Sequence, residues 1–478
     1  MNLPANVIGN VIDGRLVPAA DGATTELVDP ATGKVFATAA LSREADVDAA
    51  YDAATRAFPQ WRRLTPAARQ HHLLALVDAL SARVDDLVEA EVANTGKPVE
   101  LTRTEEILTG IDHLRFFAGL ARSLEGTSAG EYLEGHTSYV RREPVGVVGQ
   151  VAPWNYPFMM TIWKIAPALA AGNTVVLKPS DTTPATAALV GEIAASVLPA
   201  GVLNVVCGDR DTGRLVVGHP AAAMVSITGS TGAGRQVAAS AAEGLKRAHL
   251  ELGGKAPAIV FPDADLDAAV DGIVTGAFFN AGQDCTAVTR ILVAEEVADS
   301  FTERFVAAVK EIHTGPPADE TAFYGPLNNA DQFARVSGVV AGLPDHAEVL
   351  VGGHRVGEDG FFYAPTVVAG VRQDDPVVQE ETFGPVVTIQ RFRDEEEALE
   401  LANGVPFGLA SSVWTRDHAT AHRCSVELDF GCVWVNTHIP LVAEMPHGGF
   451  KQSGYGKDLS HYGLEDYTRV KHVMHAFG

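Results

Sequence analysis

Met224-Val225-Ser226-Ile227-Thr228-Gly229-Ser230-Thr231-Gly232-Ala233-Gly234-Arg235 reads as an apolar strand running into a glycine turn and then a helix. A nearly continuous apolar run suits a strand covered by helices on both faces. Upstream, three more such runs, Val145–Val151, Thr174–Lys178 and Leu203–Cys207, are each followed by a helical stretch. Strand and helix in alternation predict an α/β fold with a doubly wound parallel sheet, whose ligands gather at the carboxyl ends of the strands. The turn after Thr228 leaves backbone N–H groups free to face a pyrophosphate. Its spacing is not G-x-G-x-x-G, and glycine turns between strand and helix are also common as plain packing turns.

Working outward, residues 1–40 hold short apolar runs broken by Asp13-Gly14 and Asp29-Pro30-Ala31-Thr32-Gly33, the pattern of hairpins. Helical periodicity follows from Ser42 to Glu125. Ser42 is the expected N-cap before Asp46–Phe58, and Thr65-Pro66 opens the next helix. Arg62, Arg63 and Arg69 read as surface charges. Gly126–Arg142 breaks the helical pattern and ends in an extended Tyr139-Val140-Arg141-Arg142. A second α/β region runs from near Glu251 to about Val435. The tail from Lys457 mixes Tyr462, Tyr467 and Val470 with charges, as a strand returning to a partner's sheet would.

At 478 residues the chain is too long for one simple core, so two or three domains are expected. Lys and Arg number 36 against 60 Asp and Glu, a formal charge of −24. That argues against a nucleic-acid partner and fits either a solvated acidic surface or attraction of a cation. Cys207, Cys285, Cys424 and Cys432 show no ligand-like spacing, so neither a disulfide framework nor a metal is expected. The sequence shows neither a secretory signal pattern nor a membrane-length apolar run; the expectation is a cytoplasmic protein with no membrane partner.

One cysteine stands apart. Cys285 lies in Gly276-Ala277-Phe278-Phe279-Asn280-Ala281-Gly282-Gln283-Asp284-Cys285-Thr286-Ala287, a glycine-punctuated loop behind an aromatic run. A buried cysteine is usually a small hydrophobe, and a catalytic one needs activation or a nearby base, because only a few per cent is thiolate at neutral pH. Glu251, in Leu250-Glu251-Leu252-Gly253-Gly254-Lys255, is a carboxylate among apolar neighbours, either a structural group or a base with a raised pKa. Asn155, in Ala152-Pro153-Trp154-Asn155-Tyr156-Pro157, ends a strand and is either a turn residue or a donor to a developing oxyanion.

Taken together and in order, these segments resemble the NAD(P)-dependent aldehyde dehydrogenase superfamily. So do Leu177-Lys178-Pro179-Ser180-Asp181, Glu380-Glu381-Thr382-Phe383-Gly384-Pro385 and Gly448-Gly449-Phe450-Lys451-Gln452-Ser453-Gly454. The resemblance covers almost the whole chain. It implies Cys285 as nucleophile, Glu251 as general base, and Asn155 with the Cys285 N–H as oxyanion donors. It implies NAD held by Ala152, Pro153, Trp154, Lys178, Ser180, Asp181, Gly208, Gly229, Ser230, Gly234, Leu252, Glu381 and Phe383. Ser230 meets a phosphate, Lys178 the adenosine ribose, Glu381 the nicotinamide ribose, and Asp181 disfavours a 2′-phosphate. Arg210 stands where relatives often have glycine. The implied domains are 1–126, 144–248 and 436–456 for the Rossmann-like cofactor domain, 249–435 for the α/β catalytic domain, and 127–143 with 457–478 for a small β arm that joins a homodimer or tetramer.

For the substrate, the family's tunnel positions fall on Tyr156, Met160, Trp163, Asp284, Thr286, Leu441 and His447. A carboxylate at Asp284, beside the nucleophile, opposes a thiolate unless a cationic substrate offsets it; otherwise it is turned away and held by backbone N–H groups. The segments around Cys285 and from Glu444 to Asp458 resemble bacterial γ-aminobutyraldehyde dehydrogenases, which implies oxidation of 4-aminobutanal to 4-aminobutanoate in putrescine degradation. Glu105, Glu106 and Asp112 are further candidate amine contacts, or a solvated helix face. Betaine aldehyde is the alternative substrate, through aromatic contacts such as Trp163. An inactive protein that keeps only the fold is the remaining alternative, opposed by the presence of Cys285, Glu251, Asn155, Lys178 and Glu381.

Overall fold

The computed structural model describes residues 6–477. Two large sheets carry the molecule. In the first, five parallel strands run in the spatial order Arg247–Leu252, Ala222–Gly229, Val147–Val151, Thr174–Lys178, Leu203–Val205. The chain order reverses between Val147–Val151 and Ala222–Gly229, which is where a doubly wound sheet opens a crevice. Antiparallel edges complete it, Gly454–Tyr455 on one side and the hairpin Asn10–Ile12/Arg15–Val17 on the other. Asp13 and Gly14 both have positive φ in that hairpin's two-residue turn. The segment Thr24–Asp29/Lys34–Ala40 forms the second expected hairpin.

The helix Pro157–Ala171 is buried on every side, which accounts for its almost wholly apolar sequence. It lies between the sheet and the helices Pro66–Ser81 and Thr109–Leu120. Thr65 caps Pro66–Ser81 as expected, its side chain accepting from Ala68 N. Ser42 does not cap its helix. The helix spans Glu44–Trp61 with Arg43 at the cap position, and the Ser42 hydroxyl is taken up by Asn10 in the hairpin. Nor is Arg69 a surface charge: it is 5% exposed and its guanidinium ties the carbonyls of Leu64 and Ala170.

The second sheet has seven strands: Glu348–Val351, Thr366–Ala369, Val386–Phe392, Val288–Ala294, Ala256–Val260, Ala410–Trp414, Cys432–Val435 in spatial order. All are parallel except the Glu348–Val351 edge. The expected boundary at 248/249 falls inside the strand Arg247–Leu252, and the chain passes between sheets at Gly253–Lys255. A third sheet joins Gly130–Leu133, His136–Pro144 and Thr468–Ala476. The tail therefore pairs with its own chain, Thr468↔Pro144 through Ala476↔His136. Among the described residues no helix is long and apolar enough to cross a membrane.

Candidate active site

The carboxyl ends of the first sheet's strands and the loops that enter the amino ends of the second sheet's strands face one cavity of about 1660 Å³. Cys285 reaches it from the loop between the helix Leu266–Phe278 and the strand Val288–Ala294. That loop is built from three successive left-handed residues, Asn280 (φ 52°), Ala281 (φ 56°) and Gly282 (φ 65°). A Cβ on Gly282 would collide with the Gly384 carbonyl, so the conformation and the space both select glycine. Side-chain amides lock the turn to the first sheet. Asn280 Nδ2 donates to the carbonyls of Asn155 (3.0 Å) and Gln283 (3.1 Å), and Asn155 Nδ2 donates to Gln283 O at 3.1 Å. One further N–H of the Asn155 amide stays available, beside the Cys285 loop.

Glu251 ends the strand Arg247–Leu252 and lines the same cavity. Both carboxyl oxygens are buried without a hydrogen-bond partner. Burial first, and then the charge of Asp458, push its pKa well above the ordinary carboxylate range, against the pull of His249, Lys164 and Lys457. An unpartnered carboxylate of this kind is poised to take a proton. A Cβ on Gly448 would strike Glu251 Oε1, so glycine there makes room for that carboxyl. Cys285 is likewise pushed well above the usual thiol pKa, by burial and then by Asp284, Glu251 and Glu381. The pair is thus a neutral thiol with a carboxyl nearby, and the thiol gains reactivity when positive charge enters.

Glu381, Phe383, Trp154, Pro153, Gly229, Ser230 and Leu252 also line the cavity. Trp154 and Phe383 meet edge to face at 5.3 Å. Ser230 caps the helix Thr231–Glu243, accepting from Ala233 N at 3.2 Å. A Cβ on Gly232 would meet only Ser230 Oγ, at 3.9 Å, so the backbone at this helix start is open to a phosphate. Glu381 Oε1 accepts from Gly254 N at 2.9 Å, and burial raises its pKa to about 7. A Cβ on Gly253 would strike that carboxyl. The open helix start and a carboxyl anchored by one backbone N–H fit a dinucleotide.

Ala152, Lys178, Ser180, Asp181, Gly208 and Gly234 lie off this cavity. Lys178 is buried at the end of its strand, with its pKa lowered by desolvation against Asp181 and Asp209. Ser180 donates to Asp181 at 3.1 Å. Gly208 and Gly234 have a packing role: a Cβ would strike Thr212 in the first case and Leu252 in the second. Arg210 is exposed at the first position of the helix Arg210–Gly218.

All seven tunnel positions read from the sequence line the cavity. Asp284 is held on both oxygens: Oδ1 accepts from Thr286 N and Oγ1, each at 2.7 Å, and Oδ2 accepts from Tyr156 OH at 2.8 Å. It is nevertheless half-buried on the cavity wall. Trp163 donates its indole N–H to His113 Nδ1 at 2.8 Å and meets His447 edge to face at 5.2 Å. Of the three acidic helix residues, only Glu105 lines the cavity. Glu106 is buried and paired with Lys97 at 2.5 Å, and Asp112 is on the surface with Arg115. Successive residues on a helix point about 100° apart, so Glu105 and Glu106, both in the π-helical turn Thr102–Leu108, face different neighbours.

Sequence reasoning missed Glu100, His113, Arg335 and Asp458 on the wall. Asp458 sits inside a quoted segment, so its charge was a usable signal; Arg335 carries none. Among the described residues no group of three or more His, Cys, Asp or Glu is arranged to hold a metal ion.

The model of the aldehyde dehydrogenase family matches residues 17–473. Solved structures similar to this chain include PnpE from Pseudomonas sp. WBC-3 (39% identity, 98% of this chain and 97% of that one, TM-score 0.95). PnpE is also known in complex with nicotinamide adenine dinucleotide (40%, 98% and 97%, TM-score 0.96). Betaine aldehyde dehydrogenase from Staphylococcus aureus, in complex with NAD+, is 36% identical over 98% of this chain and 95% of that one, with a TM-score of 0.95. With a family match across nearly its whole length, and a thiol, a carboxyl and an amide gathered on one cavity, this chain belongs to the aldehyde dehydrogenase family.

Proposed function

We propose that the protein oxidises a small aldehyde bearing an ammonium group, 4-aminobutanal first among them, to its carboxylate with NAD+. The observation that carries this is the charge of the wall. Asp284 stands next to Cys285 in sequence, Glu100 and Glu105 line the same cavity, and among the described residues Arg335 is the one Lys or Arg on it. An ammonium in the tunnel offsets the acidic field that holds the thiol neutral. NAD+ supplies the hydride acceptor. Cys285 loses its thiol proton to bulk water, its Sγ attacks the aldehyde carbon, and Asn155 with the Cys285 N–H stabilises the resulting oxyanion. After hydride departure a thioester remains. Glu251 takes a proton from water, the hydroxyl oxygen bonds to the carbonyl carbon, and the C–S bond breaks to free the acid.

Betaine aldehyde is the second reading, favoured by Trp163 and Tyr156 on the wall and by the likeness to a betaine aldehyde dehydrogenase. The β arm, with Leu133, Val470, Met474 and Phe477 exposed, supports a homo-oligomer. The test is kcat/KM for 4-aminobutanal, betaine aldehyde and butanal. The reading requires 4-aminobutanal to exceed both; equal values for the amine and butanal would overturn it.

A further inference from the structure

Each hydrolysis leaves a proton on Glu251, whose oxygens are buried and unpartnered. That proton has to leave by a path that bound ligands do not block. His249 is two residues before Glu251 on the same strand, so both side chains stand on one face of the sheet. Asp458, fully buried, lines the cavity and is held by Lys164 Nζ at 3.0 Å. His249 Nε2 lies 3.2 Å from Asp458 Oδ1, and is otherwise a buried nitrogen with no hydrogen-bond partner. The other ring nitrogen, Nδ1, is 3.1 Å from Asp466 Oδ2. The Asp466 side chain is 36% exposed. A Cβ on Gly456 would collide with His249 Nδ1 and Asp466 Oδ2, so that glycine keeps this junction open.

We propose that His249 and Asp466 are the outward end of a proton route that starts at Glu251 and Asp458. The protonated imidazole first releases its Nδ1 proton to Asp466, which passes it to solvent; once the remaining N–H has shifted to Nδ1, the freed Nε2 takes the proton that arrives from the Asp458 side. No electron moves, and the ring regains its starting state by exchanging protons between its two nitrogens. Lys164, Lys457, Glu251, Asp458, Asp466 and the stacked Tyr467 are the charged or titratable groups around the ring. Burial and the Lys164 charge oppose the protonated imidazole, but Asp458 and Asp466 outweigh them and raise its pKa from 6.5 to about 9. A protonated ring has both N–H groups ready, as a relay needs. His249 and Asp466 act through Glu251 and are positioning residues; the inference rests on Glu251 being the base.

The test follows the lifetime of the Cys285 acyl adduct by rapid quench and mass spectrometry, with NADH formation followed in parallel. In both His249→Gln and Asp466→Asn, NADH formation in the first turnover should be unchanged. Adduct hydrolysis should slow about tenfold and be restored by added imidazole or another small base. Wild-type hydrolysis in both variants, or slowing that added base does not relieve, overturns the route. Asp466→Asn, at the protein edge, keeps the test valid if His249→Gln fails to fold. Glu251→Gln separates the two claims. If its adduct hydrolyses normally, the base reading falls and the route with it. If its adduct persists while both relay variants hydrolyse normally, only the route falls.

Discussion

Asp284→Asn removes one charge and little else. The Asn side chain can still accept from Thr286 N, and the Tyr156 hydroxyl can turn to accept from the new amide. Two unit charges about 6 Å apart at an effective dielectric near 20 interact by about 3 kcal/mol. Asp284 is only half-buried, and its charge is spread over three donors, so solvent leaves about half of that, or about tenfold in an equilibrium. Two readouts follow. The Cys285 alkylation rate by iodoacetamide at fixed neutral pH should rise about tenfold, since the thiol loses an opposing charge. The preference for 4-aminobutanal over butanal, as a ratio of kcat/KM, should fall about tenfold, since the ammonium loses its partner. Faster alkylation with unchanged preference would mean that the thiol feels this charge and the substrate does not. If neither changes, the electrostatic reasoning is refuted.

Gly448→Ala should push the new methyl into Glu251 Oε1, at a backbone φ of 153° that L-residues rarely adopt; thioester hydrolysis should fall more than about tenfold while NAD+ affinity by titration holds. The kcat–pH profile should show an acid limb above the ordinary carboxylate range, because Glu251 loses its basic form as pH falls through its raised pKa, and Glu251→Gln should remove that limb along with most activity. His249, raised to about 9, contributes stability that is complete below pH 6.5 and lost as pH rises towards 9; melting temperature should fall across that window in the wild type and less in His249→Gln. Glu106→Gln should destabilise by about 1–3 kcal/mol in denaturant melts, because half-buried Lys97 loses its ion pair while Glu91 stays near it, whereas Glu105→Gln should raise KM for the aminoaldehyde and leave the melt unchanged.

The parts of this protein legible in the sequence are those whose cause is local. The strand Thr174–Lys178 is five residues with Val175-Val176-Leu177 at its centre and turn signals at both ends, and it folds as read. Cys285, Glu251 and Asn155 stand beside glycines and prolines whose turns can be recognised from neighbours alone, and the fold brings all three to one cavity. What escaped depends on partners far along the chain. Ser42 looked like a cap because its competitor, Asn10, is 32 residues away. Arg69 looked solvated because the carbonyl of Ala170 that buries it is 101 residues distant. Glu105 and Glu106 have the same chemistry and adjacent positions, yet one faces the cavity and the other Lys97, a choice set by how the helix packs. The Lys164–Asp458–His249–Asp466 group joins three segments with no shared local pattern.

The central claim is that a thioester on Cys285 is made with NAD+ and resolved by Glu251. The most direct measurement mixes Glu251→Gln with NAD+ and 4-aminobutanal, quenches, and reads both NADH and the mass of the Cys285 peptide. The account predicts about one NADH per site followed by arrest, with the 4-aminobutanoyl group on Cys285. Continued turnover at the wild-type rate, or NADH formed with Cys285 unmodified, would contradict it.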